Sequence, residues 1–274
     1  MVQHPSDRER FQPCGVISIT TDFGHKGPFI GTMKGMILMR FPAARIVDLT
    51  HETLVHWPAE AGFWIARSYR YFPGGTLHVA VVDPGVGTQR DIIVLEHDGH
   101  AFLAPDNGLL GGLALAAGAR AYRLDSGRLQ RYAIVQPSAT FHGRDIFAPL
   151  AAELAAGRAR PSDLGPPTSD IVPSWLEEPE VTGQRVTGVV VTIDHFGNLI
   201  TNIDASILTA FRHAVVQAGG HELPLKRTYG DVRPGQYLAL VNSFGVLEIA
   251  RAEQSAAEGL GLGRGAPITV TEAS

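Results

Sequence analysis

Three stretches of this 274-residue chain place ionisable side chains where an apolar run stops. Thr20-Thr21-Asp22-Phe23-Gly24 offers a carboxylate able to accept hydrogen bonds from sugar hydroxyls. Val82-Asp83-Pro84-Gly85-Val86-Gly87-Thr88-Gln89-Arg90 offers a second carboxylate and, seven residues on, a guanidinium that can fold back to pair with it. Phe141-His142-Gly143-Arg144-Asp145 adds an imidazole, with Asp145 as the expected N-cap of a following helix. Three such loops together shift the balance toward a functional site. Each has a plainer account when taken alone: an Asx turn for Asp22, a loop-closing ion pair for Asp83 and Arg90, a structural histidine for His142. Gly and Pro beside all three mark tight loops at strand ends, where open α/β sheets bind ligands.

Two later turns carry a different chemistry. Asp194-His195-Phe196-Gly197-Asn198 links two apolar runs, and Asn242-Ser243-Phe244-Gly245 is a similar turn followed by Glu248. A hairpin loop explains the Gly and Asn but not the aromatic. An exposed ring beside amide and hydroxyl groups suits a nucleobase, by stacking and hydrogen bonding. Other apparent motifs fail on spacing. His51-Glu52-Thr53-Leu54-Val55-His56 has its histidines five apart, about 140° round a helix, where a zinc helix needs them four apart on one face. Gly259 to Gly265 lacks the strand–loop–helix context of a dinucleotide loop. There is no Walker loop, no Gly-x-Ser-x-Gly elbow and no cysteine-pair zinc site, so no metal is expected.

The elements that must hold these loops alternate along the first 155 or so residues. Short β-branched strands are predicted at Gly15–Thr21, Arg45–Leu49, Thr76–Val82 and Ala121–Leu124. Helices are predicted from Pro28 to Phe41, with Phe29, Ile30, Met33, Ile37 and Met39 on the buried face, then from Pro58 to about Tyr71, over Leu109–Ala117 and over Ile146–Ala156. Asp98-Gly99 between Ile92–Glu96 and His100–Ala104 signals a hairpin. Gly157 to Gly183 holds five of the 18 prolines and no clear period, and reads as a linker. Beyond it strands follow at short intervals: Val186–Ile193, Leu199–Ile203, Ala214–Gln217, Tyr237–Val241, Val246–Ile249 and Pro267–Val270. The expected architecture is an α/β/α three-layer N-terminal domain over 14–160 with a mostly parallel sheet, a Pro-rich linker over 161–183, and a smaller antiparallel β-barrel over 184–272.

Bulk composition narrows the function classes. Apolar residues make up 45% of the chain, enough for a packed core, and the net charge is −4 with no basic run, so nucleic acid is not an expected partner. Cys14 is the only cysteine, which precludes an intrachain disulfide and fits a reducing compartment. Met1 to Pro13 lacks the apolar core of a signal peptide, and the longest apolar stretch, Gly108 to Ala119, is too short to span a bilayer. A cytoplasmic protein with no membrane partner is expected.

Taken as a set, the motifs resemble the S-adenosyl-L-methionine (SAM) hydroxide adenosyltransferases, relatives of fluorinase and chlorinase. The matching stretches are Thr-Asp-Phe-Gly at 21–24, Val-Asp-Pro-Gly-Val-Gly-Thr at 82–88, Ala-Pro-Asp-Asn-Gly at 104–108, Phe-His-Gly-Arg-Asp at 141–145, Phe-Gly-Asn at 196–198 with Thr201-Asn202-Ile203, and Asn-Ser-Phe-Gly at 242–245. The resemblance implies hydrolysis of SAM to adenosine and L-methionine without a cofactor. It implies Asp83, Arg90 and His142 as the catalytic set, with Asp83 also touching substrate. It puts Asp22 on the ribose hydroxyls and Asp194 near the methionine amine. Asn198, Ser243 and Glu248 would line the adenosine pocket, with Phe196 stacking and Arg251 contributing backbone. It further implies a homotrimer, with sites formed between the N-domain of one subunit and the C-domain of a neighbour.

The halogenase branch is similar to this chain but carries Tyr where Asp83 stands, Thr where Val86 stands and Ser where Gly143 stands. A carboxylate at that place opposes a halide by roughly 4 kcal/mol at about 4 Å and an effective dielectric near 20. The sulfonium leaves without protonation, so the expected difficulty lies in activating water: Asp83, or neutral His142, takes the proton while Arg90 orients Asp83. A SAM-dependent halogenase and a non-catalytic binder of SAM or adenosine are the alternatives.

Overall fold

The computed structural model describes residues 10–132 and 134–272, so most of the polar opening stretch lies outside the described residues. Contacts divide the chain into two compact units, one ending at Trp175 and one beginning at Leu176.

The first unit is built on a seven-stranded sheet in the order β2-β1-β3-β5-β4-β6-β7. Its strands are β1 (Val16–Thr21), β2 (Arg45–Thr50), β3 (Leu77–Val81), β4 (Ile92–His97), β5 (His100–Pro105), β6 (Arg120–Arg123) and β7 (Pro167–Thr168). The helices are α1 (Phe29–Arg40), α2 (Pro58–Ser68), α3 (Gly111–Ala114), α4 (Ala148–Ala155) and α5 (Pro161–Leu164). Side chains of a strand alternate between faces. On β3, Leu77, Val79 and Val81 join Met33 and Ile37 of α1 and Leu150 and Leu154 of α4 in one core. Ala80 and Val82 join Ala61 and Ile65 of α2 and Leu113 of α3 in the other. The three-layer α/β/α arrangement follows from that alternation.

Several expectations need adjusting. The sheet is mixed: β1–β2, β1–β3 and β3–β5 pair in parallel, whereas β4–β5, β4–β6 and β6–β7 pair antiparallel. The hairpin at Asp98-Gly99 reverses the chain, with both residues at positive φ (51° and 75°), and β6 then adds to its outer edge. Helix α1 buries Ile30, Met33 and Ile37, but Phe29 and Met39 are exposed. Met39 lies about 200° from Ile37 round the helix, on the solvent side. The helix expected over Leu109–Ala117 shrinks to Gly111–Ala114, since Gly111 and Gly112 are poor helix formers and Leu115 points into solvent.

The second unit is a barrel. Its strands are β8 (Glu180–Thr182), β9 (Arg185–Ile193), β10 (Leu199–Asp204), β11 (Ala214–Ala218), β12 (His221–Lys226), β13 (Tyr237–Val241), β14 (Val246–Arg251) and β15 (Pro267–Glu272), with short helices α6 (Ala205–Leu208) and α7 (Ala256–Leu260). The order β10-β14-β13-β12-β11-β15-β9 closes through β9–β10 into a seven-stranded ring, with β8 appended to β9. Only β12–β13 is parallel. The core gathers Val186, Val190, Leu199, Ile203, Val216, Leu247, Ile249 and Val270. Strand β12 escapes sequence reading because it buries only Leu223 and carries Pro224 mid-run, which argues against a strand.

Candidate active site

Asp83 lies two residues past the end of β3, and the odd positions of β3 face α1 and α4. Strand β1 runs parallel beside it with Thr21 opposite Val81, so Asp22 and Asp83 leave the sheet at neighbouring strand ends. The chain then loops through Pro84 to Thr88 and returns Arg90 to the start of β4. This loop packs closely on the segment before α4. Gly87 has φ +78°, and a Cβ there would lie 2.2 Å from the Ala139 carbonyl, so only glycine fits.

His142 precedes a π-helical turn, Gly143–Phe147, that runs into α4. Asp145 sits inside that turn and is not an N-cap. Its carboxylate accepts from the Ser138 amide at 2.8 Å and pairs with Arg144, which holds its pKa below the usual carboxylate value. The Phe23, Phe29 and Phe141 rings meet edge to face, with centroids 5.4–6.1 Å apart, and so tie the Asp22 loop to the His142 segment.

Arg90 joins the two remaining parts. Its Nε donates to both Asp83 oxygens at 3.0 Å, and its Nη2 donates to Asp83 Oδ2 as well. The same Nη2 lies 2.9 Å from His142 Nδ1. The Asp83 and Arg90 side chains are 4% and 11% exposed, so the pair is largely removed from water. Burial, followed by the nearby Arg90 charge, lowers the His142 pKa below the ordinary histidine value. Three side chains from two loops therefore form one hydrogen-bonded line, with Asp83 and His142 either side of a guanidinium.

Asp22 is fixed differently. Its Oδ2 accepts from the His56 amide at 2.9 Å, while Oδ1 has no hydrogen-bond partner among the described residues. His51, set aside above as a zinc ligand, is buried and structural. Its Nδ1 meets Thr21 Oγ1 at 2.9 Å, its Nε2 lies 3.1 Å from Asp48 Oδ1, and its carbonyl accepts from the Gly24 amide. Among the described residues no group of three or more His, Cys, Asp or Glu side chains could hold a metal ion.

In the barrel unit, Asp194, Phe196, Asn198 and Arg251 line one cavity of about 610 Å³. The Asp194 carboxylate closes its own turn: Oδ1 accepts from the amides of Phe196 and Asn198, and Oδ2 from the Asn198 side chain, all at 2.9 Å. The Asn198 side-chain amide is thus already engaged. Phe196 is 75% exposed at the cavity edge. Arg251 donates to the Gly235 carbonyl and stacks over Tyr237, and its own carbonyl accepts from the Gln254 amide. Ser243 lies on the exposed turn between β13 and β14. Glu248 is 2% exposed and accepts from the Tyr229 hydroxyl at 2.7 Å and from the Asn242 side chain; burial raises its pKa. Tyr229, which also lines the cavity, was not singled out in the sequence. The signal was there: Tyr229-Gly230 repeats the aromatic–glycine pairing of Phe23-Gly24, Phe196-Gly197 and Phe244-Gly245.

An α/β unit with a hydrogen-bonded carboxylate–guanidinium–imidazole line past a strand end, followed by a closed barrel with a cavity of about 610 Å³, is the arrangement that comparison with known proteins assigns to a class. Residues 17–165 match the SAM hydroxide adenosyltransferase N-terminal domain, and residues 188–269 match the SAM hydroxide adenosyltransferase C-terminal domain. The chain belongs to that family. It is 36% identical over 253 residues to the (R)-S-adenosyl-L-methionine hydrolase of Thermus thermophilus, covering 90% of this chain and 96% of the relative. The Salinispora tropica protein of the same name is 36% identical over 94% of this chain and 98% of its own length. Similarity to a fluorinase of an Actinoplanes species is lower, 29% identity over 94% of this chain and 98% of the relative. A crystal structure of an uncharacterized conserved protein from Thermotoga maritima superposes with a TM-score of 0.85 at 33% identity, over 93% of this chain and all of that one.

Proposed function

We propose that the protein hydrolyses SAM by attack of water at C5′, giving adenosine and L-methionine, with Asp83, Arg90 and His142 handling the water. The observation that carries this reading is the Asp83–Arg90–His142 line. Family membership and the hydrolase names of the relatives support the same reaction.

The line assigns roles. A guanidinium stays protonated, so Arg90 can only donate, and His142 Nδ1 must accept. The imidazole proton then sits on Nε2, and His142 meets a water as a hydrogen-bond donor to its oxygen. Asp83 keeps lone pairs beyond those used by Arg90 and takes the proton as the C–O bond forms. Methionine leaves as a neutral thioether, so the carbon–sulfur bond breaks without an acid. Holding water, carbon and sulfur in line supplies much of the acceleration. The free Asp22 Oδ1 suits ribose hydroxyls. The carboxylates of Asp22 and Asp194 favour a cationic substrate, while Phe196, Tyr229 and Glu248 suit the nucleoside.

The reading includes a homotrimeric assembly and a cytoplasmic location. No described helix is long and apolar enough to cross a membrane. Light scattering checks the assembly by returning three times the 29.4 kDa chain mass. The reaction is tested by incubating protein with SAM and following adenosine by chromatography, with chloride, bromide or fluoride added in parallel. Adenosine in every tube supports hydrolysis; a halogenated nucleoside would assign the halogenase reaction instead.

A further inference from the structure

The Ala104-Pro105-Asp106-Asn107-Gly108 turn carries none of the groups placed at the water, yet it grips the loop that does. Two of its hydrogen bonds fall on the residues flanking the 83–90 loop. Asn107 Nδ2 donates to the Val82 carbonyl at 2.9 Å, immediately before Asp83. The Asp106 amide donates to the Asp91 carbonyl at 2.9 Å, immediately after Arg90. The second bond continues the β4–β5 ladder past its Ile92–Pro105 pair. The first has no ladder behind it. The β3–β5 pairing stops at Val79–Leu103, so a side-chain amide takes the place of a main-chain donor at the end of β3.

Asn107 is itself held rigidly. Its Oδ1 accepts from the Leu109 amide at 3.3 Å, its carbonyl accepts from Trp175 Nε1 at 3.0 Å, and its amide donates to the Pro105 carbonyl. Gly108 follows at φ +90°, where a Cβ would press to 2.6 Å on the Pro173 carbonyl. Asp106 Oδ1 accepts from the Val172 amide at 3.0 Å, which anchors the turn from the far side.

We propose that Asn107 is a positioning residue for the reaction: with the Asp106 amide it clasps both feet of the 83–90 loop and sets the spacing of Asp83 and Arg90. It touches neither substrate nor water in this account. The inference rests on the function proposed above. Displacement of a catalytic group by about 1 Å can cost up to 100-fold in rate.

Asn107→Asp and Asn107→Ala separate the two side-chain bonds. The aspartate variant keeps the acceptor for Leu109 and loses the donor to Val82; the alanine variant loses both. Steady-state kinetics with SAM should show kcat lower by about 10- to 100-fold in both, with KM within about threefold of wild type. Circular dichroism should show Asn107→Asp folded. Wild-type kcat per folded molecule in either variant would overturn the inference, as would a rise in KM alone. If both variants fail to fold, Asn107 serves the fold and the inference is also overturned. Absence of adenosine with the wild-type protein would instead reject the hydrolase reading, so the two failures are distinguishable.

Discussion

Arg90 Nη2 lies 2.9 Å from His142 Nδ1 while the same guanidinium grips Asp83. One cation therefore sets both the orientation of the carboxylate and the tautomer of the imidazole. A protonated His142 would face that cation with a second donor and break the line.

This gives a pH dependence. The His142 pKa is lowered, first by burial and then by Arg90, so the neutral ring persists as pH falls through its ordinary value near 6.5. In a profile of kcat/KM against pH, activity should hold through pH 6.5 and fall only on further acidification. An acid limb centred at or above 6.5 would contradict the assigned tautomer.

A second histidine governs stability. His78 on β3 is buried between Ser18 Oγ at 2.7 Å and His100 Nδ1 at 3.1 Å, stacks on Phe102, and has its pKa lowered to about 3 by burial. Above pH 6.5 it is neutral in both folded and unfolded chains. Between 6.5 and 3 only the unfolded chain binds the proton, so stability falls by about 1.4 kcal/mol per pH unit from this group at most. Urea unfolding at pH 7 and pH 5 should show a loss smaller by about 2 kcal/mol in His78→Gln than in wild type. Equal losses would remove His78 from the acid response.

Tyr229→Phe tests the barrel cavity. It deletes the hydroxyl that donates to buried Glu248 and leaves the ring in place. Glu248 then keeps Asn242 but is no longer fixed by Tyr229 where the nucleoside would meet it, so adenosine affinity measured by calorimetry should fall by roughly 5- to 100-fold. Unchanged affinity would place the nucleoside elsewhere.

Much of this was legible in the sequence because strand ends announce themselves. The apolar runs Gly15–Thr21 and Thr76–Val82 stop at Asp22 and Asp83, and β1 and β3 are indeed neighbours. Other features depend on contacts distant in the chain. Nothing local tells that Asp145 turns back to the Ser138 amide, or that Asn198 spends its side chain on Asp194. Strand β12 is dictated by its partners β11 and β13 and not by its own residues, of which one is buried. The reversal of the sheet at β4 likewise follows from pairing, since a hairpin signal does not say which edge it joins.

The central claim is that Asp83 takes a proton from a water held at C5′. Single-turnover conversion of SAM to adenosine by wild type and by Asp83→Asn tests it most directly, with adenosine binding measured alongside. The account predicts that the variant binds adenosine normally and forms product at least about 100-fold more slowly. Product formation at a near-normal rate in Asp83→Asn would contradict it.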